Sequence, residues 1–365
     1  MNEWIEVSLT DITTKIGDGL HGTPNYDDNG DYFFINGNNL VNGKILIKED
    51  TKRVNKEEFQ KHSKTLNEST LLLGINGTIG NLAYYKNEKC ILGKSACYIN
   101  FNNQVNVKFI YYTFLGGNFQ TFIEGISTGT TIPNVPIKGI REYFFKLPPL
   151  PEQIAIASVL SSLDDKIDLL HRQNATLEKM AETLFRQWFV EEVKEEWKTD
   201  TLSFFAEFFN GKSRPVEVGA IPIYGGNGVL GYTNKSNYSG KSIIIGRVGA
   251  YCGSLYFENK EIWVSDNALL VKSKLNNSTH FLFYMLKSLD LNSMAEGSSH
   301  PLLTQTLLKS IEIQIPPIQK VNKFDIIVEG FQKKIDSNQT QIRTLTTLRD
   351  TLLPKLMSGV TRVEM

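Results

Sequence analysis

The chain has 365 residues, 41% apolar and 21% charged, with Lys plus Arg balancing Asp plus Glu at 39 each. The length suits two or three domains, and the composition excludes a disordered or collagen-like chain. A net charge of zero excludes an overtly basic nucleic-acid binder, so a DNA-binding role would need positive charge gathered locally or supplied by a partner.

No apolar run approaches the ~18 residues of a membrane span, which excludes a transmembrane helix, and no membrane partner is expected. The opening Met1-Asn2-Glu3-Trp4-Ile5-Glu6 lacks the basic-then-apolar order of a signal peptide. Three cysteines (Cys90, Cys97, Cys252) without CxxC spacing point to a reducing, cytoplasmic setting.

In chain order, residues 1–149 read as short strands punctuated by turns. Tyr32–Ile35, Leu71–Leu73 and Leu82–Tyr85 are the strands, and Val107 to Gly116 is one helix. Residues 150–195 read as a long helix. Residues 196–316 repeat the first pattern, with strands at Ile221–Tyr224, Ile243–Ile245 and Leu269–Val271 and a helix from Thr279 to Leu289. Residues 317–365 form a second long helix. The class is mixed α/β (α+β), with a tangled strand order rather than a βαβ alternation.

The chain is thus written twice. The window opening Pro148-Pro149-Leu150 recurs ungapped from Pro316-Pro317-Ile318, placing Lys166-Ile167-Asp168 on Lys334-Ile335-Asp336. Upstream, Gly129-Thr130-Thr131 matches Gly297-Ser298-Ser299, and Gly77-Thr78-Ile79-Gly80 aligns with Gly246-Arg247-Val248-Gly249. Ser95-Ala96 matches Asn267-Ala268, and Glu3-Trp4 with Leu9 matches Glu196-Trp197 with Leu202.

The helical regions carry a heptad seam. The first runs through Ile156, Leu160, Leu163, Ile167, Leu170, Asn174, Leu177, Ala181, Leu184 and Trp188. The second runs through Val328, Phe331, Ile335, Asn338, Ile342, Leu345, Arg349, Leu352 and Leu356. Asn174 and Asn338 are either buried register-fixing residues or solvated breaks. About 40 residues at 1.5 Å each make a rod of about 60 Å whose seam would be exposed in isolation. The two helices are therefore expected to pair as an antiparallel coiled coil in a pseudo-two-fold molecule.

No phosphate loop, HExxH or GxSxG is present, and the five histidines lack metal-ligand spacing. Asp164-Asp165 reads as a solvated helix face. Positive evidence for catalysis or a metal is missing, and a binding module remains.

Candidate reading loops in the first head contain His21, Asn25 and Tyr26, then Asn36, Asn38 and Asn39. In the second head they contain Lys212 and Arg214, then Tyr224 and Asn227, then Tyr232, Asn234 and Lys235. Such residues suit adenine and guanine edges and phosphates, and equally suit ordinary surface turns. Thr130-Thr131 and Ser298-Ser299 precede helix-like stretches, where backbone N–H groups can hold a phosphate or the hydroxyls can serve as N-caps. Arg247, inside its Gly-x-x-Gly turn, is a phosphate contact or a structural ion pair.

Five features together make the chain resemble the specificity subunit of a type I restriction–modification system. They are Glu-Trp-x-x-x-x-Leu opening each copy (Trp4 with Leu9, Trp197 with Leu202), and Ile221-Pro222-Ile223-Tyr224-Gly225-Gly226-Asn227-Gly228. The others are Gly-x-x-Gly after an aliphatic strand, a Ser/Gly-rich segment followed by a strand and Pro-Pro, and Leu147-Pro148-Pro149-Leu150-Pro151-Glu152-Gln153 at the first helix entry. The second copy departs at Ile318-Gln319-Lys320, which leaves the helix entry intact and alters a local contact. Its head is also shorter, implying a smaller half-site or fewer contacts.

The resemblance implies two target-recognition domains, 1–149 and 196–316, each reading half of a split, asymmetric double-stranded DNA target. Spacer helices at 150–195 and 317–365 would set the gap. The subunit itself would be non-catalytic. Two modification subunits would use S-adenosylmethionine, and restriction subunits would use ATP and Mg. A coiled-coil scaffold whose heads bind protein is the competing reading, and an enzyme of unknown type a third.

Overall fold

Aliphatic runs bounded by Gly and Asn become strands, and the two heads fold the same way. In the first head we label β1 (Thr13–Asp18), β2 (Tyr32–Ile35), β3 (Thr70–Gly74), β4 (Leu82–Tyr84), β5 (Cys90–Leu92) and β6 (Ala96–Phe101). In the second they are β7 (Ala206–Asn210), β8 (Ile221–Gly225), β9 (Gly228–Thr233), β10 (Lys241–Gly246), β11 (Leu255–Asn259), β12 (Trp263–Val264) and β13 (Ala268–Ser273). The helices are α1 (Val107–Leu115), α2 (Leu150–Arg186), α3 (Thr279–Ser288) and α4 (Ile318–Met357). This computed structural model describes residues 4–297 and 301–363.

Each head has a four-stranded antiparallel sheet, in the order β1-β6-β3-β4 or β7-β13-β10-β11. Each also has a smaller sheet built on one parallel pair: β2 with β5, where Ile35 faces Leu92, and β8 with β12, where Tyr224 faces Val264. A two-stranded ribbon closes each head, Ile5–Ser8 with Phe144–Leu147 and Lys198–Thr201 with Glu312–Ile315. The central strands are buried on both faces, which explains their near-continuous Leu and Ile. One helix per head was expected. The first head has further helices at Lys56–His62, Gly117–Ile126 and Ile137–Arg141, and the second has Gln305–Ser310. The helix expected from Val107 to Gly116 is followed at once by a second, which begins at Gly117.

The chain forms two contact units. One comprises Met1–Leu169 with Gln341–Met365, and the other Leu170–Thr340. Each head therefore shares a unit with the near half of one long helix and the far half of the other.

In the first unit the two helix halves run antiparallel. Ile156, Ala157 and Leu160 of α2 join Leu352, Leu353 and Leu356 of α4 and the head core in one apolar cluster. Arg349 pairs with Asp164 at 2.8 Å, and Tyr112 of α1 donates its hydroxyl to the same carboxylate at 2.6 Å. Asp164 is thus not a solvated face, although its neighbour Asp165 is exposed. Arg349 breaks the apolar seam because it answers that carboxylate.

The same antiparallel sense holds in the second unit. Phe185, and Phe189 on a π-turn (Gln187–Glu191), pack with Phe281 of α3 and Phe324 of α4, at 4.7 Å between the Phe189 and Phe281 rings. Asn338, fully buried, donates to Asn174 Oδ1 at 2.8 Å, so these two residues are a buried cross-helix pair. No seam residue is exposed. Leu170, Asn174, Ile335 and Asn338 are buried, while Leu163, Ile167, Leu177, Leu184, Phe331, Ile342, Leu345 and Leu352 are half-buried. Burial is complete around the Asn174–Asn338 pair, and Leu184, Phe331 and Leu352 stay half-buried although they pack against the head cores.

Each head is tied to its helix by different chemistry at equivalent places. Glu152 accepts from Trp4 Nε1 at 3.2 Å, whereas its counterpart Lys320 lies 5.5 Å from the Trp197 ring centre and pairs with Glu192. This is the contact altered by the departure at Ile318-Gln319-Lys320. Gln153 holds the start of α1 through Asn106 N (2.8 Å), while buried Asp325 accepts from His280 N and Phe281 N at the start of α3.

Asn174→Ala leaves the buried Asn338 amide with only a 3.4 Å contact to Gln173 Oε1 and should cost about 1–3 kcal/mol, read from the urea midpoint. Replacing both residues with Leu should restore or exceed the original stability. Glu329 of α4 provides a pH test. Burial alone would raise its pKa, but Lys241 of β10 and His280 of α3 (2.9 Å) hold it down to about 2, against an ordinary 4.5. A carboxylate depressed in the folded state contributes stability that is fully present above pH 4.5 and lost as pH falls toward 2. The advantage of the native chain over Glu329→Gln should vanish across that window in an acid titration followed by circular dichroism.

Candidate functional site

The parallel strand pair in each head delivers a turn to the end of the large sheet. In the first head β2 runs into Asn36-Gly37-Asn38-Asn39. Gly37 is packed so closely that an added Cβ would lie 2.6 Å from Thr78 Oγ1, 3.0 Å from Ser95 O and 3.4 Å from Gly74 Cα. In the second head β8 runs into Gly225-Gly226-Asn227, where a Cβ on Gly226 would lie 3.5 Å from Asn267 O and 3.8 Å from Gly246 Cα. Ser95 and Gly74 are the counterparts of Asn267 and Gly246, so the two heads build one constellation twice. At its tip stand Asn38 and Asn227, both exposed.

The backbone around this turn corrects one alignment. Ile75 N donates to Ser95 O (3.0 Å) and Ile75 O accepts from Val135 N (2.8 Å). Arg247 N donates to Asn267 O (3.1 Å) and Arg247 O accepts from Leu303 N (2.9 Å). Gly77 N donates to Pro133 O just as Gly249 N donates to Pro301 O, both at 3.1 Å, with φ of 72° and 69°. Gly74-Ile75-Asn76-Gly77 is therefore the equivalent of Gly246-Arg247-Val248-Gly249, and the counterpart of Arg247 is buried Ile75 rather than Thr78. Two overlapping Gly-x-x-Gly runs in the first head, starting at Gly74 and Gly77, allow the false match.

Arg247 is half-buried and donates to Asn210 Oδ1 at 3.4 Å. No ion pair involves it among the described residues. Its Nε is buried without a hydrogen-bond partner. Asn210 ends β7, and exposed Lys212 follows two residues on, with Lys212 N bonded to Val264 O (3.0 Å). Half-exposed Tyr251, which the sequence reading passed over, packs beside Gly226. Its only signal is an aromatic in a Gly-rich turn. Asn227, Arg247, Lys212 and Tyr251 thus lie around one sheet end.

The remaining candidates divide by role. In the first head Asn36 and Asn39 shape their loop. Asn36 accepts from Ser95 Oγ (2.9 Å), and buried Asn39 donates to Leu46 O (3.0 Å). Asn25 bonds through N and Nδ2 to Glu58, a buried carboxylate that anchors the 21–26 loop. His21 is exposed and paired with Asp18 at 2.5 Å, and Tyr26 is exposed beside Phe34. Thr130 and Thr131 are exposed at the tip of a loop closed by Thr128 and Asn134. They do not begin a helix, since the next helix starts at Ile137 behind Pro136, so the phosphate-cradle and N-cap readings both fail there.

In the second head Tyr224 is buried, with its hydroxyl on Glu258 at 2.5 Å and its pKa pushed up by burial, so it belongs to the core. Arg214, Asn234 and Lys235 are exposed around β9. Ser298 and Ser299 lie outside the described residues. Among the described residues no cluster of His, Cys, Asp and Glu could hold a metal, and no helix is long and apolar enough to cross a membrane.

Comparison with known proteins agrees with this doubled construction. The family model for the type I restriction modification DNA specificity domain matches residues 1–179 and 194–351. The type I restriction enzyme MjaIX specificity subunit of Methanocaldococcus jannaschii is 28% identical, over 81% of this chain and 78% of its own. The EcoprrI specificity subunit of Escherichia coli is 23% identical, over 76% and 74%. The crystal structure of the type I restriction-modification S subunit from M. genitalium superposes with a TM-score of 0.69 at 21% identity, covering 99% of this chain and 96% of that one, and so shares the fold. The chain belongs to the type I restriction–modification specificity family, whose subunits determine the DNA target, and it carries the specificity domain twice.

Proposed function

We propose that each head reads one half of a bipartite, asymmetric double-stranded DNA sequence and that the spacer helices set the number of base pairs between the halves. The observation supporting this reading is the repeated constellation. The same backbone bonds hold the turn in both heads, while the side chains at equivalent positions differ, half-buried Leu20 against exposed Lys212 and buried Ile75 against half-buried Arg247. One framework carrying two sets of side chains suits two different half-sites. The subunit is non-catalytic in this reading. Two modification subunits methylate with S-adenosylmethionine, and restriction subunits use ATP and Mg; these partners complete the positive surface that a neutral chain lacks. The setting is cytoplasmic. DNA binding through phosphates weakens steeply with salt, whereas a scaffold gripping protein through apolar contacts does not.

The base-contacting candidates are Asn38 and Asn227 at the turns, with His21, Tyr26, Thr130, Thr131, Lys212, Arg214, Asn234, Lys235 and Arg247 around them. Asn38→Ala should relax the first half-site alone and Asn227→Ala the second alone, each costing about 1–3 kcal/mol in the assembled complex. Sequence-selected binding would show this, and a change in both halves by either variant would oppose independent heads. Arg247→Ala should weaken binding by about 1–3 kcal/mol across sequences and flatten the salt slope by about one unit. Four residues inserted near Glu178 add about 6 Å of helix. Genome-wide methylation mapping should then find the same half-sites with a gap longer by about one or two base pairs, at 3.4 Å each. An unchanged gap in an active complex would end the spacing role of the helices.

A further inference from the structure

The two most exposed large apolar side chains among the described residues are Val216 and Val218, at 94% and 85%. They stand on the segment between β7 and β8, and that segment is clamped. Arg214 Nη2 donates to Leu230 O of β9 at 2.5 Å. Glu217, between the valines, forms an ion pair with Lys235. Gly219 lies against the end of β9, where an added Cβ would be 2.3 Å from Asn234 N. Held at 214, 217 and 219, the segment turns Glu217 to the hairpin and its valines to water.

Fully exposed branched side chains contribute little to the fold, so their fixed presentation needs another cause. Lys212, Arg214 and Lys235 are exposed around them, and Tyr232 is 56% exposed on β9. Glu217 pairs with Lys235, so the net cations beside the valines are Lys212 and Arg214, and an apolar ridge flanked by these cations complements the DNA major groove. Phosphates border that groove, and the apolar group on its floor is the thymine C5-methyl.

We propose that Val216 and Val218 are specificity-determining residues that read thymine methyl groups in the half-site taken by the second head. This rests on the bipartite reading above and adds a base class to it.

The test uses the full chain assembled with its modification subunits on its mapped target. Each thymine of either half-site is replaced in turn by deoxyuridine, which lacks only the methyl. At least one replacement in the second half-site should weaken binding about four-fold, the weight of one buried methyl-sized group. A Val216→Ala, Val218→Ala double variant should bind the thymine and deoxyuridine duplexes equally and keep its response to the first half-site. A second half-site without an A·T pair would overturn the proposal. So would equal binding of the two bases by the native chain, or a thymine preference that survives in the double variant. Loss of subunit assembly with that preference intact would likewise overturn it, assigning the ridge to a protein contact. In each of these cases the target would still be bipartite. A target with no second half-site would instead remove the underlying reading.

Discussion

A helix of 37 or 40 residues with one apolar face cannot stand alone in water, and the organisation of both units follows from how that face is covered. Near a head, coverage comes from the head core. Ile156 and Leu160 sink into the first, and Val321, Phe324 and Val328 into the second. Away from the heads only the opposing helix is available, and there Leu170, Asn174, Ile335 and Asn338 are buried against it while Leu163, Ile167, Leu177, Ile342 and Leu345 are half-buried. Along both helices polar pairs supply what apolar contact does not, through direction. Asn174 with Asn338, and Asp164 with Arg349 and Tyr112, are satisfied in one register and not in its neighbours.

Joining head to helix uses chemistry that differs between copies while the geometry stays the same. The tryptophan opening each copy meets a carboxylate from Glu152 in one and an ammonium from Lys320 in the other. The start of each head helix is capped from the long helix, by Gln153 or by Asp325. Such substitutions keep the junction while changing the chemistry that holds it.

The same separation of frame from content governs the candidate interface. The sheet end is held by backbone bonds and by glycines that admit close approach, such as Gly37 and Gly246. Because Ile75 and Arg247 are held there through their backbone N–H and C=O groups, their side chains are free to diverge. Loops anchored from behind by Glu58 in one head, and by Arg214 and Lys235 in the other, extend this arrangement outward.

Strands such as Ala96–Phe101 and Ala206–Asn210 appear only in the structure, whereas internal repetition, the six strands at Tyr32–Ile35, Leu71–Leu73, Leu82–Tyr85, Ile221–Tyr224, Ile243–Ile245 and Leu269–Val271, and the two long helices with their seam are legible from the residues alone. They depend on local periodicity and on turn chemistry carried within a few neighbouring positions. The fate of polar residues within those patterns was decided by the tertiary structure. Asp164 looks solvated until Arg349 and Tyr112 arrive from distant segments, and Tyr224 looks like a reading residue until Glu258 draws it into the core. Likewise the π-turn that places Phe189 in the core has no local signature, and the match of Arg247 to Ile75 rests on bonds to Ser95 and Asn267 rather than on spacing. A local pattern specifies which face of an element is apolar. Which polar group that face meets depends on long-range register, and register is set by packing across the fold.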